Sequence, residues 1–233
     1  SVYAIAKDLG LPYENIRRRV KKLLDAGVCV TVDGGLVVPG ATVVRQSNLD
    51  LIRETQIATE NFVAEAGRFG ISAAEHYQPP TPGLPRQVIR LAMNYFLDAT
   101  CRSAKGLDLD VVAILVLRAI NMGNITHVTH DPVLAVTYGG MEHAPPEEAR
   151  RPVSVYSIGR FLQLPYETAR RTVARLESRG LVRKDANGLT VPLEVVSRPE
   201  VMSGMLQLVA LTETFLADLA RAGMAYRPNP APG

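Results

Sequence analysis

"SVYSIGRFLQLPYETARRTVARLESRGLVRKDANGLTVP", residues 154–192, is the stretch that decides the fold. Ser154 is a good helix N-cap, and apolar residues follow it at the spacing of one helix face. Pro165 has the backbone angle required at the start of a second helix, which Gly180 would end in a left-handed cap. Two short β-prone runs then flank an Asn-Gly pair, a signal for a hairpin. The order predicts a helix-turn-helix followed by a β-hairpin wing.

The same pattern occurs 153 positions earlier. "SVYAIAKDLGLPYENIRRRVKKLLDAG" (1–27) aligns without a gap with the beginning of that stretch, and "TENFVAEAGRFG" (59–70) aligns with "TETFLADLARAG" (212–223). A repeat of this period indicates two domains, because the units of solenoid proteins are only about 20 to 50 residues long. We therefore predict an internal duplication of 1–83 and 154–233 around an unduplicated middle.

Further helices are predicted outside these repeated stretches. Residues 107–123 would form a first helix that packs across the second domain, and 124–153 are expected to be largely loop with a short strand. Proline-rich residues 77–85 are predicted to connect the two halves. Long amphipathic helices, of the kind that pair one domain with another, are predicted at 48–70, 86–104 and 200–222.

The predicted fold class is mainly α with small β-hairpin wings, an α+β architecture. Two winged helix-turn-helix domains related by duplication would be joined by long helices into a pseudo-dimer. Ahead of Ser1 nothing supplies a first helix for the first domain, so either the sequence begins inside that domain or another helix substitutes. The predicted divisions are 1–44 (head 1), 45–106 (a helical connector), 107–196 (head 2) and 197–233 (a C-terminal pairing helix and tail).

Composition restricts the class of protein. With 233 residues and 47% hydrophobic content, the chain can form one large or two small cores, and disorder is excluded for most of it. The longest apolar run, 111–120, is interrupted by Arg118 and is shorter than the roughly 20 residues of a membrane span. We expect a core helix there, no membrane association and, without a secretory signal, a cytoplasmic protein. Cys29 and Cys101 lack metal-ligand spacing and are expected to be unpaired thiols.

Positive charge is concentrated in the repeated stretches. The whole chain has a formal net charge of +3. Residues 1–39 contain six Lys/Arg and four Asp/Glu (+2), and residues 154–192 contain seven and three (+4), so the remainder carries −3. This asymmetry is typical of modules that bind a polyanion.

The second helix of each repeat is predicted to be amphipathic. Tyr13 and Tyr166 project close to the buried direction and are expected to pack. At 100° per residue, the predicted buried positions are Ile16, Val20, Leu23 and Leu24 in the first copy and Ala169, Val173 and Leu176 in the second. The opposite, exposed positions are Asn15, Arg18 and Lys22, and Thr168, Arg171 and Arg175.

Such a helix fits the major groove of DNA, where arginine bonds guanine through two hydrogen bonds. Arg18 and Arg171 are the predicted base readers, with Asn15 and Thr168 beside them. The remaining candidates are phosphate contacts, namely Arg17, Lys21, Lys22, Arg170, Arg175 and the wing residues Arg183 and Lys184, together with Asn187 in the wing.

Glu14 and Glu167 allow two interpretations. A carboxylate at this position can accept a hydrogen bond from cytosine. It can equally favour the helix N-terminus electrostatically or pair with Arg18 or Arg171 four residues later. The residues alone leave both open.

Chemistry other than DNA binding has little support. His127, His130 and Asp131 lie in "HVTHD", but without an evident helix or further ligands they are expected to be loop residues and no metal site. Phosphate-binding loops, nucleophile elbows and paired catalytic carboxylates are missing. We expect no cofactor and no enzymatic activity.

The residues from Ser154 to the Asn-Gly wing, including Arg170-Arg171 and "ARLESRGLV", resemble bacterial winged helix-turn-helix transcriptional regulators of the broad MarR, GntR and IclR type. The resemblance covers about 40 residues in each copy. It implies a cytoplasmic, nucleoid-associated regulator whose recognition helices read double-stranded DNA, commonly as a two-fold dimer. Two heads on one chain are a departure from those families.

Two alternative functions stay open. Tandem winged helices also serve as protein-interaction scaffolds in chromosome-organising complexes, and plasmid replication initiators carry two winged heads in one chain. The basic heads favour DNA over the scaffold, and the ungapped repeat is unlike the divergent halves of initiators. The long helices also allow a homodimer, and the sequence names no small-molecule effector.

Overall fold

The computed structural model describes residues 1–68, 85–140 and 143–222. It is mainly helical with two small antiparallel hairpins, which confirms the α+β class. The chain divides into two compact units: unit 1 comprises Ser1–Ala99 and Leu206–Gly233, and unit 2 comprises Thr100–Met205. Apart from Pro85, the predicted connector at 77–85 lies outside the described residues, as do 69–70 of the predicted helix 48–70 and Gly223.

Within each repeated stretch, two helices and then a hairpin follow one another in the predicted order, whereas three further short helices were not predicted. In chain order the elements are α1 (Val2–Leu9), α2 (Tyr13–Asp25), β1 (Val30–Val32), β2 (Gly35–Val37), α3 (Gly40–Val43), α4 (Gln46–Arg68), α5 (Pro85–Gly106), α6 (Val111–His130), α7 (Pro132–Thr137), α8 (Val155–Phe161), α9 (Tyr166–Ser178), β3 (Arg183–Asp185), β4 (Gly188–Thr190), α10 (Leu193–Val196) and α11 (Pro199–Arg221). A short 3₁₀ turn occupies Glu147–Ala149.

Secondary structure repeats with the same period as the sequence. Displacing the bounds of α2, β1, β2, α3 and α4 by 153 residues reproduces those of α9, β3, β4, α10 and α11, while α8 ends one residue earlier than α1 would require. Even the helix-to-helix turns agree in conformation, since Gly10 (φ 64°) is matched by Gln163 (φ 52°). A left-handed backbone strains a non-glycine residue such as Gln163, so the surrounding packing determines this turn.

The predicted caps are confirmed. The Ser154 hydroxyl accepts a hydrogen bond from the Ser157 N–H at 3.0 Å, and the Ser1 hydroxyl accepts one from the Ala4 N–H at 3.2 Å. Gly180 follows α9 with φ 62°, the left-handed geometry that glycine adopts at low cost. These local interactions set where the first helix begins and where the second ends.

Each hairpin is antiparallel and tightly turned. In head 2, Lys184 pairs with Leu189 in the ladder, and the Asp185 carboxylate accepts hydrogen bonds from the N–H groups of Asn187 (2.7 Å) and Gly188 (3.1 Å). Val153 forms an antiparallel β-bridge with Leu189 on the edge of β4 that does not pair with β3. A single bridge at Val153 stands where a short strand was predicted within 124–153.

Helix α6 forms the centre of unit 2. It packs against α8, α9 and β4, and the residues Ile114, Val116 and Ile120 are at most 2% exposed. By length and composition it is the one helix among the described residues that is apolar enough to cross a membrane, with a mean hydropathy of 1.5. Its apolar side chains are instead the core against which head 2 is built, which confirms the predicted core helix.

The prediction that 124–153 is mostly loop is wrong in part. Helix α6 continues to His130, and the Asp131 carboxylate then caps α7 by accepting from the Val133 and Leu134 N–H groups. Asn124 lies buried inside the helix. Its amide donates to the carbonyls of Arg151 (2.8 Å) and Leu189 (3.0 Å), and its oxygen accepts from the Val191 N–H (2.9 Å). Satisfying every polar atom makes the burial favourable.

Unit 1 contains two separate clusters. In head 1, α1 and α2 bury Ala6, Ile16 and Val20. The second cluster joins the ends of α4 and α11 to the beginning of α5, and its buried members are Val63, Ala66, Val88, Phe215, Leu216 and Leu219. The predicted long helices therefore exist and pack together here.

The predicted burial of Leu23 is wrong. Leu23 is 45% exposed, whereas Leu176, the residue 153 positions later, is fully buried. Leu176 belongs to the core that α6 completes, and among the described residues no helix occupies that place in head 1. Helical periodicity identifies the apolar side of a helix, but only a packing partner buries it.

Candidate nucleic-acid interface

The outer faces of α2 and α9 carry the predicted base readers. Arg18 and Arg171 are both exposed, and the Arg171 side chain retains 72% of its accessible surface. An Arg18 N–H donates to the Asn15 side-chain oxygen at 2.8 Å. The structure thus brings Asn15 and Arg18 together as neighbours on one turn, in an arrangement that presents the guanidinium outward.

Glu14 and Glu167 each form a two-bond ion pair with the arginine three residues later. Glu14 accepts from Arg17 at 2.8 and 2.7 Å, and Glu167 accepts from Arg170 at 2.9 and 2.8 Å. The hydrogen bonds from Arg17 and Arg170 lower the pKa of the glutamates below the usual value and raise the pKa of the arginines. Both carboxylates are therefore ionised throughout the physiological range.

The expected ion pair four residues later is absent for Glu14 and present for Glu167, and both glutamates also pair with the arginine three residues later. In head 1 the partner of Glu14 is Arg17, since Arg18 bonds Asn15 instead. In head 2, Glu167 bonds Arg170 and also lies 3.6 Å from Arg171. Glu14 thus offsets the charge of Arg17 and leaves that of Arg18 available, whereas Glu167 is shared between Arg170 and Arg171.

The remaining cations of α2 and α9 differ in what they pair with. Lys21 pairs with Asp25 at 2.9 Å, and Arg175 pairs with Asp110, the N-cap of α6, at 2.6 Å. Lys22 is exposed, and the described part of the chain contains no hydrogen-bond or ion-pair partner for it. Arg175 is thus held by its own core helix, while Lys22, its counterpart in head 1, is available.

The β3–β4 hairpin carries one cation in ion pairs, Arg183, and one with no ion pair among the described residues, Lys184. Arg183 lies 3.8 Å from Glu147 and 3.7 Å from Glu194. Lys184 is exposed and makes no ion pair within the described ranges, and Asn187 is exposed at the hairpin turn. Lys184 is therefore the better placed of the two for a phosphate.

The expectation that Tyr13 and Tyr166 pack is wrong, since both are about half exposed at the start of α2 and α9. Tyr3 and Tyr156, on α1 and α8, are exposed to about two thirds. The two pairs recur at the 153-residue period, a signal in the sequence that the prediction overlooked. A tyrosine hydroxyl can donate to a phosphate, so these rings extend the candidate interface beyond the charged residues.

Thr168 contributes less than its head 1 counterpart. It is half-buried, and its carbonyl accepts a hydrogen bond from the hydroxyl of the buried Thr172 at 2.8 Å. Thr172 stands where head 1 has the exposed Arg19. Head 1 therefore presents a wider basic face on its recognition helix than head 2 does.

A metal centre finds no support among residues 1–68, 85–140 and 143–222, in which no group of three or more ligand side chains meets. His127 and His130 lie in α6, so the expectation that they are loop residues is wrong. Cys29 and Cys101 are free thiols, as predicted.

Replacing Glu167 by glutamine is expected to tighten DNA binding about two- to five-fold, because the change releases Arg170 and Arg171 from a competing carboxylate. Glu14→Gln is the matched variant in head 1. Titration of duplex DNA by fluorescence anisotropy at two salt concentrations measures the effect, which should shrink as salt rises. Weaker binding confined to sites with a particular cytosine would instead assign Glu167 to base reading.

Comparison with known proteins yields no relative for this chain: no protein-family model, no curated protein and no solved structure matches it.

Proposed function

We propose that the chain is a DNA-binding transcriptional regulator with two winged helix-turn-helix heads, each reading double-stranded DNA through its second helix. The observation that carries the proposal is the repeated α2 and α9 face, on which Arg18 and Arg171 are exposed beside pairs of Glu and Arg. Each face belongs to a basic repeated stretch, 1–39 with a net charge of +2 or 154–192 with +4, and is followed by a hairpin. An α-helix with outward arginines is the element that fits the major groove.

Contacts between α4 and α11 support an origin by duplication and a pseudo-two-fold arrangement. Phe62 and Phe215 are 153 positions apart, and their ring centroids are 6.4 Å from each other. Val63 and Ala66 share the buried cluster with their own counterparts, Leu216 and Leu219. Use of the same surface patch on both sides is the property of a two-fold interface. The ends of α4 and α11 thus pack as two subunits of a dimer would.

The proposed target is an imperfect palindrome read by one chain. Two-fold regulators contact half-sites about 34 Å apart, one turn of the double helix. Differences between the two helices at exposed or flanking positions include Asn15 against Thr168, Arg19 against Thr172 and Lys21 against Ala174. Different side chains on otherwise matched helices favour two related but unequal half-sites. The proposed location of this regulator is the bacterial nucleoid.

Selection of the full chain on random duplex DNA, followed by footprinting of the winning sequence, tests the proposal. We expect protection of two half-sites one helical turn apart and an affinity that falls steeply between 50 and 200 mM salt, by about 10³-fold for six phosphate contacts. Recovery of a single half-site would reject the pseudo-dimer while keeping DNA binding. No enrichment at all would reject DNA binding, and an affinity insensitive to salt would reject the proposed phosphate contacts.

A further inference from the structure

The two hairpins share one backbone pattern but carry different side chains. Displacing β1 and β2 by 153 residues reproduces the pairing of β3 with β4, so that Thr31 occupies the position of Lys184. Strand β1 reads Val-Thr-Val (30–32) and strand β3 reads Arg-Lys-Asp (183–185), and all of these residues are exposed. Equivalent positions therefore present an uncharged strand in head 1 and a basic strand in head 2.

The hairpin of head 1 is unsuited to a phosphate. Residues 29–38 contain no lysine or arginine, and their one charged side chain is Asp33 at the turn. Binding of a phosphate favours donors with positive charge, which valine side chains do not supply, and the Asp33 carboxylate repels it. This difference is one of residue type, so it does not depend on what else packs on head 1.

The hairpin of head 2 is both basic and held in place. Arg183 lies 3.8 Å from Glu147 and 3.7 Å from Glu194, and Glu147 also accepts a hydrogen bond from the Leu193 N–H at 2.7 Å. Lys184, the next residue of the strand, is exposed and has no ion pair within the described ranges. Because the strand is already fixed, little backbone freedom is lost when Lys184 binds a phosphate.

We propose that only head 2 contacts DNA with its hairpin, so that one chain holds its target asymmetrically. The inference rests on the proposed function, because it concerns the same two DNA-reading heads. Lys184, with Asn187 at the turn, contacts the phosphate backbone beside the half-site read by α9. The hairpin of head 1 makes no such contact beside the half-site read by α2. The contacted backbone is therefore longer on the side of head 2, which gives the complex a direction.

Hydroxyl-radical footprinting of the full chain on its selected duplex tests this asymmetry. We expect protected backbone beside one half-site that has no counterpart beside the other. Lys184→Ala should remove this extra protection. Thr31→Ala is the matched change at the same ladder position of head 1 and should leave the footprint as it is. Both side chains are exposed, so neither change disturbs the core.

The salt dependence of binding supplies a second readout. Lys184→Ala should weaken binding by the same factor on all sequences, since a phosphate carries no sequence information. Loss of one phosphate contact lowers the salt slope by about one, so the ratio of natural to variant affinity should fall about three- to four-fold between 50 and 200 mM salt. Thr31→Ala should leave both the affinity and the slope unchanged.

The outcomes separate this inference from the proposed function. Two protected half-sites with equal protection beside them, or an extra protected stretch that persists in Lys184→Ala, would overturn the asymmetric contact and leave DNA reading by both heads intact. A natural chain that protects no half-site would refute the proposed function and the inference with it. Extra protection lost in Lys184→Ala and kept in Thr31→Ala supports the inference.

Discussion

Replacing Leu176 by alanine is expected to destabilise unit 2 by about 2 to 5 kcal/mol, the cost of removing a buried leucine side chain and leaving a cavity. Leu176 is completely buried in the cluster that α6 forms with α8, α9 and the hairpin. The matched change, Leu23→Ala, is expected to cost less than about 1 kcal/mol because Leu23 is already 45% exposed.

Urea unfolding monitored by hydrogen exchange in each head measures the two changes separately. The two changes are a matched pair because the residue type, helix position and sequence context are nearly the same. The difference in their free energies of unfolding therefore measures the effect of helix α6, which covers Leu176. Equal destabilisation by the two changes would contradict the difference in burial between Leu23 and Leu176.

Removing both predicted base readers is expected to have the largest effect on DNA binding. Arg18→Ala and Arg171→Ala should each cost about 1 to 3 kcal/mol on the selected sequence, and the double variant about 2 to 6 kcal/mol, because contacts to separate half-sites add approximately. The double variant therefore binds at least about 30-fold more weakly. Specificity should relax at one position in each half-site, since these arginines are proposed to read bases.

Arg53→Ala is the control for loss of charge, because Arg53 is exposed on α4 outside the two heads. It should change neither specificity nor affinity appreciably. Uniform weakening by Arg18→Ala and Arg171→Ala across all sequences would reassign both residues to phosphate contacts. Wild-type affinity in both variants would show that Arg18 on α2 and Arg171 on α9 do not contribute to DNA binding.

Local signals in the sequence predict the elements well because local interactions determine them. Ser154 caps α8, Gly180 ends α9, and the Asp-Ala-Asn-Gly turn sets the hairpin register, all through contacts within a few residues. The apolar period also identifies the sides of α2 and α9. The exposed arginine stripes could therefore be predicted before any tertiary contact was known.

Predictions from the sequence fail where a distant partner decides the outcome. Residues 124–130 were predicted to be loop, but they continue helix α6, where the Asn124 amide donates to the carbonyls of Arg151 and Leu189. Tyr13 and Tyr166 lie near the apolar side of their helices, yet about half of each residue stays exposed. Arg175 was predicted to contact phosphate, but in the structure its guanidinium donates to Asp110, which is 65 residues away in the sequence.

By itself, the sequence determined the period of 153 residues, the order of helices and hairpins in each head, and the basic, arginine-bearing face of the second helix. Capping, turn geometry and amphipathicity are local properties, and they repeat because the residues repeat. Only the tertiary structure decided that the two heads are unequal. The same leucine is buried at position 176 and exposed at position 23, because burial depends on whether a helix such as α6 lies across it.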